Sequence, residues 1–192
     1  MNIVVITANG KCIVRPDTTW ERDNEDFFPP EFVNRLSYSP VLFARISKPG
    51  RSVGEKFADR YYDGIGYGVL LYPQDLIDGS EAGYACASCL DHTTFLPFPL
   101  FNKVTLGQGN EFKLYVKKDS KPSRNIFVHD AGTTGMIEAA IAEATKYVYI
   151  RSGDILAVEL KPRRALCSRA DGVISVKGKY CDNITMDFKI NF

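Results

Sequence analysis

The alternation of apolar and polar stretches is most regular in the segment that follows Ser39. Two apolar runs, residues 41–46 and 65–72, each have the length and composition of a buried strand. Pro49 and Gly50 interrupt the pattern after the first run, and a polar segment with a helical period follows them. The pattern therefore predicts a strand, a short helix and a second strand, and we expect the rest of the fold to be organised around this unit.

The predicted helix has signals at both ends. Ser52 and Glu55 stand at capping-box spacing, so each side chain can satisfy a free backbone N–H in the first turn. Gly64 can adopt the left-handed conformation that ends a helix. The apolar side of the helix is predicted to consist of Val53, Phe57 and Tyr61, which recur every four residues.

The flanking sequence predicts short strands and one more helix. Asn9 and Gly10 mark the turn of an N-terminal hairpin, and residues 134–147 carry the apolar stripe of a helix. Residues 78–94 have no clear period, and we predict a loop there. Further strands are predicted at residues 3–7, 12–14, 104–106, 111–118, 125–129, 155–160, 173–176 and 185–190, with a hairpin turn at 107–110. The apolar segment 95–101 is interrupted by two prolines, which fit an edge strand or a bulge. Together these elements predict a mostly β fold of the α+β class with two short helices, in a single domain of residues 1–192.

Charge and cysteine content argue against several functional classes. The chain has 24 basic and 23 acidic residues, so it lacks the electrostatic signal of a partner for nucleic acid or for a membrane surface. No apolar run approaches the roughly 20 residues of a membrane helix. The five cysteines are odd in number and scattered, which is typical of reduced thiols, and we expect a cytoplasmic protein. We interpret the basic patch at Arg163, Arg164 and Arg169 as a solvated loop.

Several segments, taken in order, resemble the fumarylacetoacetate hydrolase family. Ile13-Val-Arg-Pro-Asp17 is similar to the family's lysine-proline-aspartate strand end, with Arg15 in place of the lysine. Weaker similarities to the family's loop, central strand, helix and Gly-Asp turn lie at residues 27–29, 45–53, 57–63, 66–69, 75–76, 132–136 and 152–155. The resemblance runs from about residue 12 to the C-terminus. It implies a fumarylacetoacetate-hydrolase-like mixed β-sandwich roll and a homodimer.

The resemblance also implies a site for Mg²⁺ or Mn²⁺ whose ligands this sequence lacks. In the family's enzymes two glutamates on the central strand and one aspartate on the next strand hold the cation, because hard cations prefer oxygen ligands, and the cation polarises a keto-acid oxygen. Ser39, Val41 and Leu70 stand at these three positions. Gln74 stands where the family has an arginine, and its lysine would lie close to Ser88. We therefore expect a vestigial site, with no catalytic residues, no metal and no cofactor.

Two other groups of residues could be considered as metal ligands. The predicted helix carries an acidic stripe that consists of Glu55, Asp59 and Asp63. If the register of the resemblance were shifted, these residues could be proposed as metal ligands, although a solvated helix face is the more usual interpretation. Cys86, Cys89 and His92 have zinc-like spacing. They lack a fourth ligand unless His129 is near, so buried free thiols are the favoured interpretation.

Two functions remain open at this point. The first is a non-catalytic protein of this fold that acts as a binding or structural homodimer, with the apolar segment 95–101 in the contact. The second is a divergent hydrolase, isomerase or decarboxylase for small acylpyruvate-type keto acids, with a rebuilt metal site or with metal-free chemistry around Cys86, Cys89, Asp91 and His92. We favour the first because the carboxylates, the lysine and the family's lid are all missing, and a fold does not guarantee its usual function.

Overall fold

The computed structural model describes residues 1–106, 109–121 and 124–192. Within these ranges the helices are α1 (Glu81–Ser88) and α2 (Thr134–Ala144). The strands are β1 (Ile3–Ile6), β2 (Cys12–Arg15), β3 (Trp20–Glu21), β4 (Arg35–Ile46), β5 (Tyr62–Pro73), β6 (Thr94–Phe95), β7 (Glu111–Lys118), β8 (Arg124–Asp130), β9 (Ile155–Glu159), β10 (Arg164–Ser168), β11 (Ile174–Tyr180) and β12 (Asn183–Ile190). None of the helices in the described ranges is both long enough and apolar enough to cross a membrane.

The described strands form two sheets. The larger sheet is mixed and has the order β2-β1-β9-β4-β5-β6-β3, with β10 also paired to β4. In it β1 runs parallel to β9, and β3 runs parallel to β6. The smaller sheet is antiparallel, with the order β12-β11-β7-β8. The arrangement is the mostly β, α+β fold that the sequence predicts.

The long hairpin of β4 and β5 lies at the centre of the larger sheet and is buried on both faces. On β4, Leu42 and Ala44 face the main core between the sheets, whereas Val41 and Phe43 face a second apolar cluster on the opposite side. Strands that are covered on both faces read as continuous apolar runs rather than as alternating ones. This explains why the sequence predicts these two strands clearly.

Stacked aromatic rings and one helix complete the main core. The ring of Phe95 stacks on that of Phe188 at a centroid distance of 3.7 Å, and Tyr67 contacts both Phe112 and Tyr180. These contacts join the larger sheet to the smaller one. Helix α2 buries four of the five residues of the predicted stripe, Ile137, Ala140, Ile141 and Ala144, whereas the fifth, Tyr147, lies beyond the end of the helix and is exposed.

The helix between β4 and β5 differs from the prediction. It is a 3-10 helix, Glu55–Tyr61, whose N-cap is Gly54, and the Ser52 side chain does not cap it because Ser52 has a left-handed backbone with φ of +51°. Phe57 is 45% exposed, and Ala58 is the buried residue of the helix. A 3-10 helix repeats every three residues, so an apolar period of four does not face the core. The predicted helix end is also wrong, since Gly64 lies inside β5.

Three further predictions of secondary structure are wrong. Residues 78–94 contain α1, which begins where the Ser80 side chain accepts a hydrogen bond from Gly83 N–H. Lys103–Thr105 is a 3-10 turn rather than a strand, and β7 pairs with β8 and β11 instead. Within the hairpin turn predicted at 107–110, residues 107 and 108 lie outside the described ranges. The basic patch is not one solvated loop: Arg163 precedes β10, Arg164 begins it, and Arg169 lies in the 3-10 turn after it, where its Nη2 donates to the Val33 carbonyl.

Candidate functional site

The three residues that the sequence resemblance aligns with metal carboxylates lie together on one face of the central hairpin. Ser39 on β4 is directly opposite Leu70 on β5, and Val41 lies two residues further along the same face of β4. All three side chains are fully buried. Val41 and Leu70 belong to an apolar cluster whose other buried members are Ile3, Val5, Phe43, Tyr72, Ala87, Leu96, Ile155 and Ala157.

The residues at these positions do not fit a divalent cation. Valine and leucine have no ligand atoms, and the Ser39 hydroxyl has no hydrogen-bond partner among the described residues. Mg²⁺ and Mn²⁺ are held by carboxylate and other oxygen ligands, and one hydroxyl does not replace three carboxylates. In the described part of the chain, no group of three or more His, Cys, Asp or Glu side chains is placed so that it could hold a metal ion.

Helix α1 covers this face of the hairpin. Ala87 is buried in the apolar cluster, and the Tyr84 ring stacks on the Tyr72 ring at a centroid distance of 5.8 Å. Gly83 allows the helix to lie close to the preceding turn, since a Cβ atom there would be 2.3 Å from Asp78 Oδ1. The helix therefore packs against the same side of β5 that carries Leu70 and Tyr72.

Arg15 lies beneath the end of α1 and is fully buried. Its Nε donates to the Ser88 carbonyl at 2.9 Å, and its Nη2 donates to the Leu71 carbonyl at 3.1 Å and to Thr93 Oγ1 at 2.8 Å. Its Nη1 has no hydrogen-bond partner among the described residues. Burial lowers the pKa of Arg15, and Tyr72 opposes that effect. Arginine nevertheless stays protonated in proteins, so a positive charge lies under this face.

An open cleft of about 540 Å³ lies beside the covered positions. Its most buried charged group is Glu159 on β9, which is directly opposite Val41 on β4. Glu159 Oε1 accepts a hydrogen bond from the Tyr72 hydroxyl at 2.9 Å, and Oε2 accepts one from Ala8 N–H at 2.9 Å. Burial raises the pKa of Tyr72 well above its usual value, so this hydroxyl remains a donor. The cleft is lined by Thr7, Ala8, Asn9, Lys11, Ile13, Tyr72, Tyr84, Glu159, Pro162 and Arg163.

Arg163 forms one wall of the cleft. Its Cζ lies 5.5 Å from the centre of the Tyr72 ring and 5.7 Å from that of the Tyr84 ring. The Cζ of Arg15 lies 5.0 Å from the centre of the same Tyr72 ring. The two tyrosines are therefore held by cation–π contacts as well as by their own stacking. The sequence interpretation of a solvated basic loop missed this role of Arg163.

The remaining residues proposed from the sequence lie in different places. Ser88 is buried at the end of α1, where its hydroxyl donates to the Tyr84 carbonyl. Gln74 lines a separate cavity of about 310 Å³ that also contains Cys167 and Asp171. The structure thus brings Ser39, Val41 and Leu70 together, and it places Gln74 in another cavity.

The zinc-like motif and the acidic stripe do not form metal sites among the described residues. Cys86 and Cys89 are exposed at the end of α1, and His92 Nδ1 lies 3.5 Å from Glu21 Oε2. The other histidine, His129, is buried in the smaller sheet, and burial lowers its pKa to about 4. Two members of the acidic stripe form ion pairs instead, Asp59 with Lys103 and Asp63 with Arg45.

The sequence contained a signal for the cleft that the prediction did not use. Glu159 directly follows an apolar run, residues 155–158, and a carboxylate at the end of a buried strand is unusual unless it has partners. Its partner Ala8 lies 151 positions away in the chain. Only the parallel pairing of β1 with β9 brings them together, and periodicity does not reveal such a pairing.

Comparisons with known proteins were made by sequence and by structure. Neither a protein-family model nor a curated protein matches the chain by sequence. Solved structures match it closely in fold. A protein from Yersinia pestis CO92 assigned to the fumarylacetoacetate hydrolase family has a TM-score of 0.77 at 14% identity, over 98% of this chain and 92% of that one.

Two enzymes of known reaction have the same fold. Fumarylpyruvate hydrolase from Pseudomonas aeruginosa, solved with Mn²⁺ and pyruvate, has a TM-score of 0.75 at 13% identity, over 100% of this chain and 90% of that one. Maleylpyruvate hydrolase from a Sphingobium species has a TM-score of 0.72 at 13% identity, over 100% of this chain and 70% of that one. The fold is therefore that of fumarylacetoacetate hydrolase family proteins, and the resemblance found in the sequence is confirmed at this level.

Proposed function

We propose that this chain uses the fumarylacetoacetate hydrolase fold to bind a small molecule, without the divalent cation and without hydrolysis of a C–C bond. The observation that carries this proposal is the complete burial of Ser39, Val41 and Leu70 beneath α1. A cation at these positions would have to displace packed side chains, and it would find one hydroxyl and no carboxylate. The open cleft beside them, with its charged and aromatic lining, supports a binding role.

One observation favours the alternative function, a divergent hydrolase, isomerase or decarboxylase for acylpyruvate-type keto acids. Glu159 is a buried carboxylate beside a cavity, and the Tyr72 hydroxyl donates a hydrogen bond to it. Such a pair could transfer a proton without a metal. We rank this function second because both oxygens of Glu159 already accept hydrogen bonds within the chain.

Titration calorimetry with Mn²⁺ and with Mg²⁺ tests the proposal. The chain should bind neither ion at micromolar concentration, because no carboxylate stands at Ser39, Val41 or Leu70. The Pseudomonas aeruginosa fumarylpyruvate hydrolase, whose crystals contain Mn²⁺, is the positive control. Micromolar affinity, or turnover of fumarylpyruvate that EDTA abolishes, would contradict the proposal. Turnover that resists EDTA and is lost in Glu159→Gln would support the alternative function instead.

The homodimer is part of the same proposal, although segment 95–101 is a poor candidate for its contact. Phe95 is buried within the chain, and Phe98 packs edge-on against Trp20 at 5.8 Å. The outer edge of β8 fits better, because it is the open edge of the smaller sheet in the described part of the chain. Ile126 and Val128 on this strand are 57% and 51% exposed. Two copies of β8 paired antiparallel about Phe127 would place Ile126 opposite Val128 of the second copy.

Light scattering coupled to size-exclusion chromatography tests this contact. We expect twice the mass of one chain for the wild type and the mass of one chain for Val128→Lys. Ile184→Lys is the matched control, because Ile184 is similarly exposed but lies on β12, at the other edge of the same sheet. A monomeric wild type, or a dimer that survives Val128→Lys, would argue against this contact. The free cysteines support a cytoplasmic location, which cell fractionation would test.

A further inference from the structure

The cleft contains two cationic side chains that form no ion pair with the described residues, although Lys11 interacts electrostatically with Glu143 on α2. Neither the Lys11 ammonium nor the Arg163 guanidinium forms a hydrogen bond or an ion pair with another described residue. The Cζ atom of Arg163 lies within about 6 Å of the centres of both tyrosine rings, which is within cation–π range. The N–H donors of its guanidinium have no acceptor among the described residues, and their fork matches the two oxygens of a carboxylate or phosphate. The wall of the cleft therefore presents N–H donors that no described residue uses.

The charges around the cleft favour an anion. Lys11 and Arg163 line it, and the buried charge of Arg15 lies on the Tyr72 ring that forms part of the same lining. Glu159 is the only negatively charged residue among the described lining residues. A buried charge acts over a longer range than an exposed one because the protein interior screens it weakly. When Glu143, which interacts electrostatically with Lys11, is included, three cations stand against two carboxylates, and an excess of positive charge remains.

Glu159 adds a second element of recognition. A carboxylate has about four acceptor positions, and two of those on Glu159 are used by Tyr72 and Ala8. The remaining positions can accept a hydrogen bond from a hydroxyl or ammonium group. A ligand that fills the cleft would thus satisfy both ends if it carried an oxyanion and a donor.

We infer that the cleft binds a small organic oxyanion that also carries a hydroxyl or ammonium group, with its carboxylate or phosphate on Arg163 and Lys11 and its donor on Glu159. This inference rests on the proposed binding role of the chain. Tyr72 and Tyr84 position Arg163, and Arg15 fixes Tyr72 from within the protein. No metal ion takes part in this recognition.

Titration calorimetry in EDTA with four probes tests the inference: L-malate, succinate, glycerol 3-phosphate and inorganic phosphate. L-Malate or glycerol 3-phosphate should bind the wild type, and the stronger of the two identifies the oxyanion as a carboxylate or a phosphate. Arg163→Gln should weaken that binding by roughly tenfold or more, the loss expected when a hydrogen bond to a charged group is removed. Arg164→Gln is the matched control, because it changes the same charge at the adjacent, exposed position.

A further variant and the comparison between probes test the roles of Arg163 and Glu159 individually. Arg163→Lys, which keeps the charge and loses the fork, should bind more weakly than the wild type, and thermal unfolding checks that both Arg163 variants are folded. Succinate, which lacks the hydroxyl group, should bind more weakly than L-malate. Failure of all four probes to bind, or equal binding by Arg163→Gln and Arg164→Gln, would overturn the oxyanion site. Equal affinity for succinate and L-malate would remove the role of Glu159.

A repeat with Mn²⁺ in place of EDTA separates this inference from the proposed function. Binding could appear only with the cation and still depend on Arg163. That result would refute the metal-free function but would still support the oxyanion site. Binding with equal affinity in EDTA and in Mn²⁺ supports both.

Discussion

Replacement of Leu70 by aspartate would restore one of the missing carboxylates, and we expect it to destabilise the fold strongly. Leu70 is fully buried between the central hairpin and α1, opposite Ser39. A carboxylate at this position would face apolar side chains rather than water or a cation. Leu70→Asn is the matched comparison, because asparagine has nearly the same shape and polarity as aspartate but carries no charge.

The size of the effect can be divided into two parts. Both variants lose a buried leucine side chain, which costs about 2–5 kcal/mol of the free energy of unfolding. Ionisation of a fully buried carboxyl group costs about 4 kcal/mol more, as the pKa shifts of such groups indicate. Burial raises the pKa of the new carboxyl group in the folded state above its value in the unfolded chain. The two variants should therefore be about equally stable at low pH, and Leu70→Asp should fall behind as the pH rises.

Urea unfolding between pH 4 and pH 8 measures this difference. Ile184→Asp and Ile184→Asn serve as controls at an exposed position, where the charge should have little effect. Equal stability of Leu70→Asp and Leu70→Asn at every pH would refute the conclusion that this face is dry and closed. Stabilisation of Leu70→Asp by micromolar Mn²⁺ would show that a cation site persists there.

Three other predictions concern packing, charge and thiol exposure. Gly83→Ala should destabilise the protein by about 1–3 kcal/mol, because the new Cβ would lie 2.6 Å from the Leu76 carbonyl oxygen. Gly135→Ala, whose Cβ would lie 3.7 Å from the nearest atom, should stabilise α2 by about 0.5–1 kcal/mol. Urea unfolding compares the two variants. Although burial opposes it, the Lys118 ammonium and the Ser168 N–H lower the pKa of Asp171 to about 2. The contribution of the Asp171 carboxylate to the free energy of unfolding is present above the pKa that this group has in the unfolded chain, and it is lost as the pH falls towards 2. Asp171→Asn should therefore lower the free energy of unfolding by about 1 kcal/mol at pH 7 and should have no effect near pH 2. Urea unfolding measures this difference. Burial raises the pKa of Cys167 to about 12, so iodoacetamide followed by mass spectrometry should label the exposed Cys86 and Cys89 first, and label Cys167 only after denaturation.

The sequence predicts an element well where a single physical pattern determines it. Strands β4 and β5 are buried on both faces, and α2 buries one stripe, so their apolar residues follow the pattern of the structure. Helix α1 is different. It is short and weakly apolar, and it forms because Ser80 caps it and because Tyr84 and Ala87 pack on the hairpin. Those contacts are tertiary, so periodicity alone could not predict the helix.

The candidate site divides in the same way. The resemblance located Ser39, Val41 and Leu70, and the structure places them side by side because they lie on one hairpin. The cleft escaped prediction because its residues come from four separate parts of the chain, which contain Lys11, Tyr72, Tyr84 and the pair Glu159 and Arg163. Their proximity depends on the parallel pairing of β1 with β9 and on the position of α1. Such a site has no local signature in the sequence.

The cost of burying an unpaired charge explains why uncharged residues stand together at Ser39, Val41, Leu70 and Ser88. A buried carboxylate without a cation, or a buried lysine without a carboxylate, would each cost several kcal/mol. The chain has neither at Ser39, Val41, Leu70 or Ser88, so these four buried positions carry no charge. Arg15 is a buried charge beside these positions, and three hydrogen bonds and the Tyr72 ring stabilise it. Its charge then lies beside the cleft, where a bound oxyanion would stabilise it further and the fold would gain stability from the ligand.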